Sequence, residues 1–441
     1  MPALLLAIAG IGVSCSSEKD VVDPDIVISG DPNAVISGEP RAVNMVYPEK
    51  VVNLTSEQRA YIVANNAFSL NLFREISEND GNKSSFCSPL SVTYLLSMLN
   101  AGAEGNTQKE IQDVLGFGTS NPTEINAFCE NLLKTAPELD PKVTLSIANS
   151  IFVNNAIGKI LPSYQQEMEK YYEAKVEDMD FENVRNVDKI NNWCNQQTNG
   201  MIPKILEDNE FDPNVVMFLL NAIYFKADWT EKFEEKYTQK ADFIGASDTK
   251  KVNMMHQKVL ANYGESDEYT SLSLPYGDGA FCMKIFLPKE GKSINDVLGR
   301  LKYEMSPDKM SVEGYEKNDV CEVDVKIPRW ETSTNMPLIK ILKKMGIQQM
   351  FNPFFAELTK MAKGTSLYVG IMKQLAKIEV NETGSKAAAV TIGGTYELVS
   401  NIPSVPREPR KVDFHANRPF LYMITERGSN AVFFMGKYMG E

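Results

Sequence analysis

Histidine is almost missing from this chain: His256 and His415 are the two it has in 441 residues. Most hydrolytic sites and transition-metal sites draw on that side chain, so enzymatic readings start at a disadvantage. Basic runs are missing as well. The formal net charge is −13, from 58 acidic against 45 basic residues, and no stretch of five or more basic residues interrupts it; nucleic acid is not an expected partner. No Cys-x-x-Cys spacing occurs. Apart from Cys15, the cysteines Cys87, Cys129, Cys194, Cys282 and Cys321 are odd in number and widely spread, which reads as buried free thiols rather than a disulfide framework.

Catalytic motifs are equally scarce. Gly291-Lys292-Ser293 imitates the end of a phosphate loop, but Phe286 stands where its first glycine belongs. Gly277-Asp-Gly279 lacks the third glycine of a dinucleotide fingerprint, because Cys282 occupies that position, and reads as a turn between strands. There is no His-Glu-x-x-His and no Gly-x-Ser-x-Gly. The chain is expected to be no enzyme, with no cofactor, no metal and no catalytic residue.

What is present begins with a hydrophobic fraction of 43% against 23% charged residues, enough for a substantial core. Length alone allows up to three domains. Ala3 to Ser14 is a small or apolar run too short to span a bilayer and suited to the core of a signal peptide. Val13-Ser14-Cys15 resembles a bacterial lipoprotein cleavage box, although Gly12 stands where that box usually has leucine and no Lys or Arg precedes the run. Residues 1–15 are therefore expected as a signal peptide ending at a lipidated Cys15. The mature protein would then be anchored at a bacterial outer membrane or cell surface, or otherwise secreted, and would touch membrane only through that lipid. Residues 16–53 read as a flexible tether containing a duplication, VISGDPNA from Val27 to Ala34 and VISGEPRA from Val35 to Ala42, each with a Gly-acid-Pro turn signal.

From residue 54 the pattern becomes globular. Thr55 and Gln58 form a capping box ahead of a stripe of Ala64, Phe68, Leu72 and Ile76. A second apolar segment, Ser91 to Met98, stops at Asn100-Ala-Gly102, and a short polar helix ends at Leu115-Gly116. Val143, Leu145 and Ile147 alternate like a half-buried strand, as do Cys321, Val323, Val325 and Ile327. The continuous run from Val215 through Phe225 predicts a strand covered on both faces, with Asn221 as a buried amide that must find partners. Helices come early and strands later without βαβ alternation, so the fold class is α+β in one large domain, 54–441.

The segment from Glu379 to Phe414 stands apart. One parity, Ser385, Ala387, Ala389, Thr391, Gly393 and Thr395, is small and uncharged at every step, while Lys386, Val390, Ile392 and Tyr396 lie on the other. Extended from Ser385 to Leu398 it would reach roughly 45 Å, and a face so small could slide between neighbours in a crowded sheet. Read alone, the composition also suits a flexible surface loop.

Glu382-Thr-Gly-Ser-Lys-Ala-Ala-Ala-Val-Thr391 resembles the hinge of inhibitory members of the serpin family. Further blocks resemble that family in order: Cys87-Ser-Pro-Leu-Ser91 with Asn100 to Thr107, Ile190-Asn-Asn-Trp193 with Thr198-Asn-Gly200, Asn221 to Trp229, and Phe414-His-Ala-Asn-Arg-Pro-Phe420 followed by Phe434-Met-Gly436. The resemblance implies helices packed around a large central β-sheet, further sheets, and an exposed reactive loop at about 382–413. It implies a monomeric suicide-type inhibitor of serine endopeptidases, and of some cysteine ones, whose cleaved loop inserts into the main sheet. A non-inhibitory member, acting as a surface binding protein or a protease substrate, is the alternative.

Carried onto this sequence, the hinge is Glu382, Gly384, Ser385, Ala387, Ala388, Ala389 and Thr391. Ser88, Ser91, Asn221 and Gln374 fall in the sheet-opening region and Trp229 where the loop enters. Gln374 stands where the family usually has histidine. Counting about fourteen residues from Gly384 puts the scissile bond at Leu398-Val399; counting about nine back from Phe414 gives Val405-Pro406, with Arg407 a trypsin-type alternative. The hinge count has priority, because the inserted length must match the sheet. It suits proteases of chymotrypsin, elastase or subtilisin type. No basic helix stripe lies between Thr107 and Glu138, so activation by heparin is not expected.

Overall fold

The structure is a computed structural model that describes residues 41–42, 50–305, 319–364, 367–385 and 408–441. Cys15, Ala387, Ala388, Ala389, Thr391, Leu398, Val399, Val405 and Arg407 lie outside the described residues, as does most of the tether. At its C-terminal edge the tether expectation is corrected. Arg41–Ala42 pairs in parallel with Val259 and Leu260, and Val52 is buried in the core, its apolar side chain joining the helices that follow.

Helix α1, Ser56–Asp80, starts at the capping box read from the sequence: the Gln58 amide donates to Thr55 Oγ1 at 3.2 Å and the Thr55 amide to Gln58 Oε1 at 3.3 Å. Helix α2, Pro89–Gly102, is capped by Ser88 and buried almost along its whole length. Gly277 and Gly279 lie in a turn between strands Tyr269–Tyr276 and Phe281–Pro288, as read from the sequence, and Ser293 caps helix Ile294–Glu304. The five described cysteines are buried and form no disulfide with one another.

Two sheets share the core. The main sheet contains β1 (Val143–Asn154), β2 (Lys175–Met179), β3 (Met217–Asp228), β4 (Trp330–Pro337), β5 (Ile371–Val380) and the two-residue β6 (Gly384–Ser385), in the order β4-β5-β6-β3-β1-β2. Met217–Phe225 of the Val215–Phe225 run forms most of β3 and is buried on both faces as its lack of alternation predicts, while Val215 precedes the strand and is half-buried. Behind this sheet lies a second, larger one, whose edge is formed by Lys411–His415 pairing in parallel with Asp319–Pro328.

The junction of β3 and β5 positions the site. Ile371–Ala376 pairs in parallel with Phe218–Ile223, with Gln374 opposite Asn221. Beyond Ala376 the strands part, and β6 occupies the gap: Ser385 pairs with Val380 on one side and Ala227 on the other, both antiparallel. The main sheet is thus closed at one end and held open at the other by the first residues of the small-residue segment.

Candidate functional site

After Val380 the chain must reverse within three residues to feed the gap. Asn381 makes this turn: its side-chain oxygen accepts from the amides of Thr383 at 3.0 Å and Gly384 at 3.2 Å and from the Thr383 hydroxyl at 2.7 Å. Gly384 adopts φ +143°, and a Cβ there would stand 2.2 Å from the Ala227 carbonyl oxygen, so the close approach to β3 admits only glycine. Ser385 turns its hydroxyl inward to the Tyr276 hydroxyl at 3.0 Å, between the two sheets.

Glu382 locks the turn from behind. Arg329 Nη2 donates to both its carboxylate oxygens at 2.6 Å and Thr238 donates to Oε1 at 2.5 Å, with the Glu382 side chain 3% exposed and that of Arg329 42% exposed. Burial opposes ionisation of Glu382, but the hydrogen bonds from Arg329 and Thr238 outweigh it and hold the carboxyl below its usual range. Trp229 reaches the same turn: its backbone amide donates to the Thr383 carbonyl at 2.8 Å and its indole Nε1 to the Asn381 carbonyl at 2.9 Å, while its ring stacks on Tyr276 at 4.4 Å.

Beneath the closed end lies a buried polar cluster. The Ser88 amide donates to Gln374 Oε1 at 2.9 Å, Gln374 Nε2 returns a bond to the Ser88 carbonyl at 2.8 Å, and the Ser88 hydroxyl donates to the Phe433 carbonyl at 2.7 Å. Gln374 Nε2 also lies 3.4 Å from Asn221 Oδ1, and Asn221 Nδ2 donates to Asn149 Oδ1 at 3.0 Å. These bonds tie β5 to helix α2, and β5 to β3 and β1. Ser91 is the correction here. It stands at the third position of α2 and gives its backbone amide to the Ser88 cap at 3.3 Å, while its buried hydroxyl has no partner among the described residues. Asn149, Arg329 and Thr238 meet their partners only through contacts distant in sequence, whereas Asn381 acts through a local turn with Thr383 and Gly384.

Glutamine donates and accepts like a neutral imidazole but carries no titrating proton. Rates of thermal opening are therefore expected to vary less than about twofold between pH 5 and 8 through this position, and Gln374→His should introduce an acid dependence. An acid dependence already present in the wild type and lost in Gln374→Ala would contradict this.

A family model described as "Serpin (serine protease inhibitor)" matches residues 63–440. The Leukocyte elastase inhibitor of Xenopus tropicalis is 31% identical over 382 residues, covering 84% of this chain and 97% of its own. Among solved structures, the native state of the thermophilic serpin Tengpin aligns with a TM-score of 0.77 at 26% identity, over 91% of this chain and 100% of its own. Thyroxine-binding globulin in complex with thyroxine aligns with a TM-score of 0.73 at 26% identity, over 86% and 98%.

Proposed function

Because the chain belongs to the serpin family, we propose that it is a suicide-type inhibitor of serine endopeptidases that traps the acyl-enzyme by inserting its cleaved loop into the main sheet. The observation that carries this reading is the lodging of Gly384 and Ser385 between β3 and β5, with the Ser385 side chain on the inner face. Insertion extends a strand already started, in a gap already lined by ladder groups.

Each ladder hydrogen bond contributes roughly 0.5 to 1.5 kcal/mol net, so about a dozen of them would put the inserted form on the order of 10 kcal/mol below the native one. The native form is then a kinetic trap. Its closed end must part for the loop to pass, and the Gln374–Asn221 contact and the parallel pairing of Ile371–Ala376 are what must separate. The chain supplies no nucleophile of its own; the target protease does.

The scissile bond we assign is Leu398-Val399, with proteases of chymotrypsin, elastase or subtilisin type as targets. Export, the lipid anchor at Cys15 and a monomeric state belong to the same proposal. The test mixes the purified protein with neutrophil elastase, chymotrypsin, trypsin and subtilisin, follows an SDS-stable complex, and sequences the released peptide. A complex with a new N-terminus at Val399 is expected. A cut after Val405 or Arg407 would move the assignment, and clean cleavage without complex would favour a substrate or a binding protein, a use of this fold illustrated by the thyroxine-bound relative.

A further inference from the structure

The two histidines of this chain, 159 positions apart in sequence, meet at one oxygen atom. His256 Nε2 and His415 Nε2 each lie 3.0 Å from Asp324 Oδ1. The three residues come from three adjacent strands of the second sheet: His256 from Thr249–Glu265, Asp324 from Asp319–Pro328, and His415 from the edge strand Lys411–His415. Asp413 joins them from the same edge strand, where the register sets it directly beside Asp324. Ligating atoms of Asp324, Asp413 and His415 all fall within 4.8 Å of one another.

Four-coordinate Zn²⁺ holds N and O ligands at about 2.0 to 2.2 Å, which spaces them roughly 3.4 Å apart. A modest closure of this cluster reaches that spacing. Its donor set, two carboxylates and an imidazole, suits a divalent first-row transition metal with solvent in the remaining position. Asp413 is exposed and makes no side-chain hydrogen bond or ion pair among the described residues, so no internal bond has to break for it to ligate. His256 supplies the outer layer. It is buried, and its bond to Asp324 fixes the orientation of that carboxylate, as partners of metal ligands commonly do.

We propose that Asp324, Asp413 and His415, oriented by His256, form a divalent transition-metal site that clips the edge strand Lys411–His415 to its neighbour. That strand is five residues long and is separated from position 407 by three residues, so a metal bound across the pair holds the chain just downstream of residues 386–407. Binding forms coordinate bonds only. Neutral His415 ligates through one ring nitrogen while the other carries its proton.

The test uses the full chain freed of metal by a chelator and titrated with Co²⁺ alone, followed by its visible ligand-field absorption. One saturable equivalent, displaced by Zn²⁺, is expected. Asp413→Asn and His415→Gln should abolish the band, and His256→Gln should weaken affinity by roughly 10- to 100-fold. Asp413 is exposed and its replacement does not threaten folding. No saturable band at millimolar Co²⁺, or a band unchanged in Asp413→Asn, would overturn the site. Hydrogen exchange reads the clip: Zn²⁺ should slow exchange of the Val412 to His415 amides in the wild type and not in Asp413→Asn, and equal exchange with and without Zn²⁺ would overturn it.

Discussion

Replacing Ala387 with glutamate is expected to turn the inhibitor into a substrate, with the stoichiometry of inhibition rising more than tenfold and the SDS-stable complex lost. The register already set by Ser385 gives the reason. Continuing its antiparallel pairing with Ala227 and Val380 brings Ala387 between Phe225 and Ile378 in the inserted state, on the inner face. Phe225 packs there against Tyr276, Phe281 and Phe434 at ring distances of 5.3, 5.8 and 5.5 Å, and Ile378 is buried. An ionised carboxylate placed among these groups with no partner costs several kcal/mol. In the proposed mechanism insertion competes with hydrolysis of the acyl-enzyme, so even about 2 kcal/mol on the insertion barrier would slow it roughly 30-fold. Ala388→Glu, on the opposite parity, should cost far less. An undiminished complex in Ala387→Glu, on a denaturing gel against chymotrypsin or elastase, would contradict the insertion register.

The same extrapolation brings Thr391 between Asn221 and Gln374, which are register partners in the native sheet. Its hydroxyl would meet two amide side chains where a larger apolar residue would meet only buried polar groups. In the proposed insertion, the small parity of residues 385–395 would then match the polar cluster beneath the sheet.

Local chemistry made part of this legible in the sequence. The Thr55 capping box, the doubly buried strand within the Val215–Phe225 run, the need of Asn221 for partners and the one-sided smallness of the segment from Ser385 are short-range patterns, each with its own physical period or cap. The rest depended on register. Arg329 and Glu382 are 53 residues apart, Asn149 and Asn221 are 72 apart, and His256 and His415 meet through a strand between them. No spacing rule covers contacts of that kind. Ser91 fails for a subtler reason: one position in a helix first turn decides whether a serine contributes its hydroxyl or its backbone amide.

Removing Arg329 should loosen the hinge turn from behind. In Arg329→Ala the Glu382 carboxylate keeps Thr238 but loses both bonds to the guanidinium, in a position where it is 3% exposed. Breaking a fully buried pair costs about 3 to 5 kcal/mol; with Arg329 itself 42% exposed, solvent and relaxation should reduce this to roughly 2 kcal/mol. The expected result is a lower midpoint of thermal inactivation and faster loss of inhibitory activity on incubation, because a released turn exposes unpaired edges of β3 and β5. Arg329→Ala combined with Glu382→Gln should recover much of the loss, since no unpaired charge then remains. The sign with pH is fixed by the lowered carboxyl of Glu382. Its contribution is present above the unfolded value of about 4.3 and disappears as pH falls through the lower folded value. The gap between wild type and Arg329→Ala should therefore hold from pH 8 down to about 5 and shrink progressively as the pH falls below about 4. A gap that persists undiminished in acid would show that Arg329 acts through packing of its stem rather than through the ion pair.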